Sequence, residues 1–250
     1  MQHSIILSSD GSNTLKLANY DECYHSGNGA YTEAQHIYIK NGVEHLWNRL
    51  LQNSDNTPIT INIYDMGLGT ALNCMVALTW QQNLSKTGIT PPHIHFIGVE
   101  KYPIGLSEAL LLNFPQHIAK HTENISAEEL DNWFNLIHSS NWEDDIHITE
   151  NFVLTKHIGD ITELKSSYFA NNLYSNSPSV VMYDTFSPQT QPQLWDKDIF
   201  TAIANGVNTG SILTTYCSKG IVKQALRESG FTIERLQGPP GKRHIIRATI

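Results

Sequence analysis

Ile59-Thr60-Ile61-Asn62-Ile63-Tyr64-Asp65-Met66-Gly67-Leu68-Gly69-Thr70-Ala71-Leu72-Asn73 is the stretch whose reading decides the fold. Isoleucine stands at every second position from 59 to 63, the period of a strand with one apolar face. The alternation breaks at Asp65-Met66-Gly67-Leu68-Gly69, and residues 71–78 then have the composition of a helix. A strand that enters a helix through two glycines makes a floor for the polar end of a ligand. Glycine turns sharply and carries no Cβ to hold the ligand off, and the helix start leaves N–H groups unpaired.

Three readings of this turn stay open on its residues alone. A dinucleotide site wants Gly-x-Gly-x-x-Gly, and the third glycine is absent. A loop for S-adenosylmethionine (SAM) tolerates that absence, because it meets an amino acid and a nucleoside rather than a pyrophosphate. An α/β turn without any ligand is the third.

The 250 residues suffice for one large α/β domain with a buried core. No apolar run is long enough to span a bilayer, and the N-terminal residues lack the basic region and apolar core of a secretory signal. Cys23, Cys74 and Cys217 are odd in number and far apart, which suits reduced thiols in a cytoplasm. A net charge of −8 argues against nucleic acid as a partner, but the charge is uneven. Lys219, Lys223, Arg227, Arg235, Lys242, Arg243 and Arg247 face only Glu228 and Glu234 in residues 219–250, so that segment is +5 and the remainder −13. Such asymmetry allows a basic docking face on an acidic body, or equally a solvated helix face with basic edge strands.

Residues 4–20 read as a hairpin turning at Asp10-Gly11-Ser12-Asn13. A polar, aromatic stretch follows, with a helix expected over 31–51; Tyr24, Tyr31, Glu33 and His36 are much chemistry for a linker. Asn53-Ser54-Asp55-Asn56-Thr57-Pro58 is the clear polar break before the core. A second strand over 94–101 ends at Glu100, about thirty residues beyond the glycine turn, where an acid can take both hydroxyls of a ribose. Helices are expected over 106–113, stopped near Pro115, and over 126–138, opened by Ser126-Ala127-Glu128-Glu129. Strands over 152–160 and 179–188 end in Gly159-Asp160 and Asp184-Thr185-Phe186-Ser187-Pro188. Helix 192–205, strand 210–216 and helix 219–229 precede two last strands, 231–236 and 244–250, joined through Gly238-Pro239-Pro240-Gly241. With no helix between them, those two must run antiparallel, which separates a SAM methyltransferase sheet from a dinucleotide sheet. Asp65, Glu100, Asp160 and Asp184 then crowd one crevice, a self-repelling set unless a cation binds, and SAM carries a sulfonium and an ammonium.

These residues resemble the methyltransferase half of the bifunctional tRNA wobble-uridine MnmC enzymes, and more closely their stand-alone MnmD-type relatives. The matching blocks begin with Asp21-Glu22-x-Tyr24-His25-Ser26-x-x-Gly29-Ala30-x-x-Glu33-x-x-His36, Gly67-Leu68-Gly69-Thr70-x-x-Asn73 and Val99-Glu100-Lys101-Tyr102-Pro103. Gly159-Asp160, Asp184-x-Phe186-Ser187-Pro188-x-x-x-Pro192-x-Leu194-Trp195 and Gly238-Pro239-Pro240-Gly241-Lys242-Arg243 complete them, so the likeness runs from residue 21 to the last strand. Thr185 departs from the family's usual Gly or Ala, and Met66 from its frequent Thr, which puts the width of the pocket in question.

The resemblance implies a Rossmann-like α/β fold with a mixed seven-stranded sheet, an antiparallel final pair and an N-terminal hairpin extension. It divides the chain into residues 1–57, packing over the site, and 58–250, the methyltransferase domain with a helical insertion near 113–150. It implies N-methylation of the 5-aminomethyl group of a (2-thio)uridine at the tRNA wobble position. Gly67 and Gly69 would floor the methionine part, Glu100 hold the ribose and Asp160 the adenine. Tyr24, Glu33, Leu68, Asn73, Lys101, Gly159 and Phe186 are further expected cofactor contacts. Asp184 would sit where the methyl meets the amine, as the catalytic carboxylate, with Tyr31 fixing the amine's direction. Lys219, Lys242 and Arg243 would meet phosphates of the tRNA anticodon loop. No flavin domain is expected in this chain, nor a membrane partner, and a monomer is favoured. His93-x-His95 and His117-x-x-x-His121 lack a third ligand beside them, so no metal is expected. The rival readings are a methyltransferase for a small-molecule amine and a non-catalytic tRNA-binding scaffold of the same fold.

Overall fold

A computed structural model describes residues 3–17, 22–52, 58–170 and 172–250. Asp21 and the polar break at residues 53–57 lie outside the described residues. The N-terminal hairpin pairs β1 (His3–Leu7) with β2 (Asn13–Leu17) antiparallel. Its turn is tied to the following helix by Asp10. One carboxylate oxygen accepts from Ser12 N (2.9 Å) and from the Ser8 and Ser12 hydroxyls (2.8 and 2.5 Å). The other accepts from Thr32 N and Oγ1 (2.9 and 2.8 Å).

The helix expected over 31–51 is continuous but not uniform. It runs as α1 (Ala30–Ala34), a π-helical segment (Gln35–Val43) and α2 (Glu44–Leu51). Gly42 lets this wide turn lie on the sheet, since a Cβ there would stand 3.2 Å from Val180 and 3.3 Å from Thr214. A π segment shifts the register of side chains, and here it buries Tyr38 completely.

The core follows as β3 (Thr60–Met66), α3 (Leu72–Lys86), β4 (His93–Glu100), α4 (Leu106–Ala109), α5 (Phe114–Ile118) and α6 (Ala127–Ser139). Next come β5 (Asp145–Thr149), β6 (Phe152–Ile158), α7 (Ser166–Ala170), β7 (Ser179–Tyr183) and α8 (Lys197–Gly206). The chain closes with β8 (Ile212–Thr215), α9 (Gly220–Glu228), β9 (Thr232–Gln237) and β10 (His244–Thr249). The sheet order is β5-β6-β4-β3-β7-β8-β10-β9. β6, β4, β3, β7 and β8 are parallel, while β10 and β9 close the far edge antiparallel, as the missing helix between them requires.

Three expectations are corrected. The sheet has eight strands, not seven, because Asp145–Thr149 pairs antiparallel with β6 across a bulge at His147 and Thr149. The segment 113–150 is therefore helical only as far as Ser139. Pro115 opens α5 instead of ending the helix before it; its missing N–H costs nothing in a first turn. β3 is buried on both faces, not one. Ile61 and Ile63 pack under α3 and the π segment, while Tyr64 and Met66 belong to a second core with Phe200, Val222 and Ile246. Each such isoleucine stabilises the fold by about 1.5–3 kcal/mol. The chain leaves β3 for β4 on one side and returns to β7 on the other, so a crevice opens above the carboxyl ends of β3, β4 and β7.

Candidate active site

The Gly67–Gly69 turn sits at that crevice. Gly67 N and Leu68 N both donate to Val99 O (3.2 and 3.0 Å), stitching the turn to the end of β4. Gly67 has φ +93°, and a Cβ on it would press 3.1 Å from Asp184 O; on Gly69 (φ +49°) it would stand 3.0 Å from the Tyr24 ring. Glycine is thus required twice, once by backbone conformation and once by crowding. Glu100 is held by two backbone donors, Gly69 N to Oε2 (2.9 Å) and Tyr102 N to Oε1 (2.8 Å), which leaves acceptor capacity on both oxygens for a diol.

Two cavities meet here. The first, about 300 Å³, is bounded by Gly67, Gly69, Glu100, Lys101, Gly159, Asp160, Gln191 and Gln193. The second, about 240 Å³, is bounded by Glu22, Cys23, Ser26, Glu33, Tyr216 and Lys242. Tyr24, His25, Asp184, Thr185 and Phe186 line both. Asp184 therefore stands on the shared wall. Asn73 Nδ2 donates to its Oδ2 (2.9 Å) and to Asp65 Oδ1 (3.2 Å), fixing the carboxylate from below. His25 approaches the same Oδ2 to 4.0 Å through Nδ1, and its Nε2 lies 2.6 Å from Thr70 Oγ1. Burial pushes the His25 pKa down against the pull of Asp184, with Lys242 adding to the fall. The buried Tyr38 hydroxyl lies beside Asp184; burial first, then the charges of Asp184 and Glu33 and its hydrogen-bond approach to Asp184, push its pKa well up.

The loop after Asp184 is clamped from three directions. Glu22 accepts from Ser187 N (3.1 Å) and Oγ (3.2 Å), Tyr216 OH donates to Thr185 O (2.9 Å), and Trp195 Nε1 donates to Phe186 O (2.8 Å). On the far side of the first cavity Lys101 Nζ pairs with Asp160 Oδ2 at 2.6 Å. Burial alone would raise the Asp160 pKa, but Lys101 and the Thr162 hydroxyl and N–H outweigh it and hold it low.

Not every expected residue reaches the crevice. Asp65 is fully buried beneath it, tied to Asn73, so three carboxylates and not four face the first cavity; burial and Asp184 push its pKa well up. Asn73 and Leu68 support the floor from below, Leu68 packed on Gly98. Tyr31 borders neither cavity: it stacks on His121 (4.8 Å between ring centres) and meets His117 edge-on (5.1 Å), and its hydroxyl accepts from Gln35. That position lies outside both cavities and apart from Asp184. Glu33 belongs to the second cavity rather than the first, ion-paired with Lys242. Lys242 points inward, whereas Arg243 is exposed and Lys219 half-buried at the start of α9. Met66 lies in the second core, and Thr185 lines both cavities. Among the described residues no three of His, Cys, Asp and Glu gather as metal ligands, and no helix is long and apolar enough to cross a membrane. Sequence reasoning gave no role to His25, Tyr38, Tyr216, Gln191 or Gln193. Only His25 carried a signal, its place in the Tyr24-His25-Ser26 block.

Residues 120–250 match a family described as S-adenosyl-L-methionine-dependent methyltransferase, and that match takes in more than half of the chain. The chain belongs to that family. SAM is the cofactor of the methyltransferase, and the crevice fits it: a glycine floor without room for a Cβ, a doubly anchored carboxylate, and an acidic wall for a cation. Among curated proteins the methyltransferase is similar to the tRNA 5-methylaminomethyl-2-thiouridine biosynthesis bifunctional protein MnmC of Burkholderia multivorans, 28% identical over 93% of this chain and 33% of that one. The protein of that name from Legionella pneumophila (strain Philadelphia 1) is 25% identical over 91% of this chain and 34% of its own length. The chain thus spans about a third of the length of these relatives. Among solved structures, MNMC2 from Aquifex aeolicus superposes with a TM-score of 0.69 at 23% identity, covering 99% of this chain and 70% of that one, and so shares the fold.

Proposed function

We propose that this methyltransferase transfers the methyl group of SAM to the primary amine of a 5-aminomethyl (2-thio)uridine at the wobble position of tRNA, in the cytoplasm. The observation that carries the reading is the pair of cavities joined at Asp184: one suits a nucleoside-bearing cation, the other is an acidic recess suited to an amine. The curated relatives, whose name concerns tRNA 5-methylaminomethyl-2-thiouridine biosynthesis, supply the acceptor.

Gly67 and Gly69 would bear the methionine part, Glu100 the ribose hydroxyls, and Asp160 with Lys101 the outer end. SAM, when bound, supplies a methyl group already activated by the sulfonium, whose S–C electrons leave on sulfur as the N–C bond forms. The protein's part is alignment and proton handling. An alkylamine is mostly protonated at neutral pH and then has no lone pair. Asp184, oriented by Asn73, accepts an N–H of the amine and takes the proton that nitrogen sheds. Thr185, Phe186 and Tyr24 cover the junction and limit water there.

The test is methyl transfer from labelled SAM by the purified protein to tRNA bearing 5-aminomethyl-2-thiouridine, read by nucleoside mass analysis. A gain of one methyl on that nucleoside supports the reading, and its absence with SAM bound removes it. The inward turn of Lys242 weakens the expected basic face and favours a free small amine as the second reading. Transfer to the free nucleoside as efficient as to tRNA would establish that alternative.

A further inference from the structure

Lys242 was expected among phosphate contacts, yet its ammonium lies inside the second cavity, paired with Glu33 from 209 residues earlier in the chain. The same nitrogen stands 5.0 Å above the centre of the Tyr216 ring. A carboxylate as buried as Glu33 needs a cation beside it or a proton on it. A carboxylate and an aromatic face opening on Asp184 are also what an alkylammonium ligand requires.

The anchoring of Lys242 suits exchange. Its backbone is fixed: Lys242 N donates to Pro239 O (2.9 Å), Gly238 N donates to Arg243 O (3.2 Å), and Gly241 packs so closely on Asn28 that a Cβ would stand 2.2 Å from it. The four-carbon side chain can nonetheless withdraw by rotating its own bonds while the turn stays in place.

We propose that in the free enzyme the Lys242 ammonium occupies the place of the acceptor's primary ammonium, and that Glu33 selects the acceptor by exchanging one ammonium for the other. The assignment rests on the acceptor being an amine, as proposed above. The exchange leaves Glu33 with a cation before and after, so no carboxylate is stranded in a dry site. Arriving on Glu33, the amine lies in the recess that Asp184 borders, where it can give up its proton; when the methylated product leaves, Lys242 returns.

The test is steady-state kinetics of the wild-type protein and of Lys242→Met on aminomethyl-bearing tRNA at several salt concentrations. Removing the competitor is expected to lower the acceptor KM several-fold, with the SAM KM and the salt dependence unchanged. A raised acceptor KM with a shallower salt dependence would make Lys242 a phosphate contact and overturn the proposal, as would an unchanged KM. Should Lys242→Met not fold, Glu33→Gln decides. A tenfold or greater rise in acceptor KM with SAM affinity retained supports the exchange, and an unaltered acceptor KM overturns it. No transfer by the wild-type protein would instead remove the amine acceptor itself, and this assignment with it.

Discussion

The two cavities sit side by side but are built differently. The first is made by regular structure, at the ends of β3, β4 and β6, and its polar groups are held by neighbours close in sequence or at the ends of adjacent strands: Gly67 on Val99, Glu100 on Gly69 and Tyr102, Asp160 on Thr162. The second is assembled from segments that meet only in the finished fold: Glu22 with Ser187, Glu33 with Lys242, Tyr216 with Thr185. A cofactor common to a whole family can be held by the ends of a sheet. An acceptor particular to one enzyme is met by loops and an added N-terminal piece.

Four substitutions sharpen or break that contrast. Asp184→Ala, on the shared wall, should cut turnover at least about a hundredfold while SAM affinity by calorimetry stays within a few-fold; near-normal turnover would remove Asp184 from the chemistry. Gly69→Ala belongs to the first cavity alone. Its left-handed φ and the Tyr24 contact should together cost about 1–2 kcal/mol, raising the SAM KM about tenfold with the acceptor KM unmoved.

Tyr38→Phe should lower kcat about three- to tenfold, because Asp184 loses a polar neighbour, while thermal stability stays within about 1 kcal/mol, the net worth of a single hydrogen bond. A loss of stability with full activity would reverse that reading. Asp10→Asn has the smallest expected effect on turnover. It should destabilise the protein by about 1–3 kcal/mol through the hairpin knot, measured by denaturant unfolding.

The pH dependence separates that knot from the rest. Burial raises the Asp10 pKa, but hydrogen bonds from Ser12, Thr32 and Ser8 outweigh it and bring it well below its usual value. Its contribution is therefore present above about 3.8 and lost as pH falls through the folded value. His95 and His138 are pushed down to about 4 by burial, so they stabilise above about 6.5 and lose that contribution as pH falls towards 4. Stability should decline in two stages on acidification, and Asp10→Asn should flatten only the lower one.

The first cavity was legible in sequence because strand period, glycine spacing and strand-end acids are local patterns. Gly67, Gly69, Glu100 and Asp160 could be placed from them, and the antiparallel last pair followed from a missing helix. Pro115 misled because the same ring that ends one helix can open the next. β5 was hidden in a segment whose capping box and helix dominated the reading. Tyr31 and Tyr38 lie seven residues apart on what read as one helix, and the π winding that begins at Gln35 and contains Tyr38 undid any inference about which faced the site. Lys242 could be seen as a charge but not as half of a pair with Glu33, since nothing local connects them.

The most direct test of the two-cavity account is a crystal structure of the protein with S-adenosylhomocysteine. The account predicts the ribose hydroxyls on Glu100, the adenine beside Asp160, and the sulfur directed at Asp184 with the Glu33–Lys242 recess still open behind it. A nucleoside lying in that recess, or a sulfur facing away from Asp184, would contradict it.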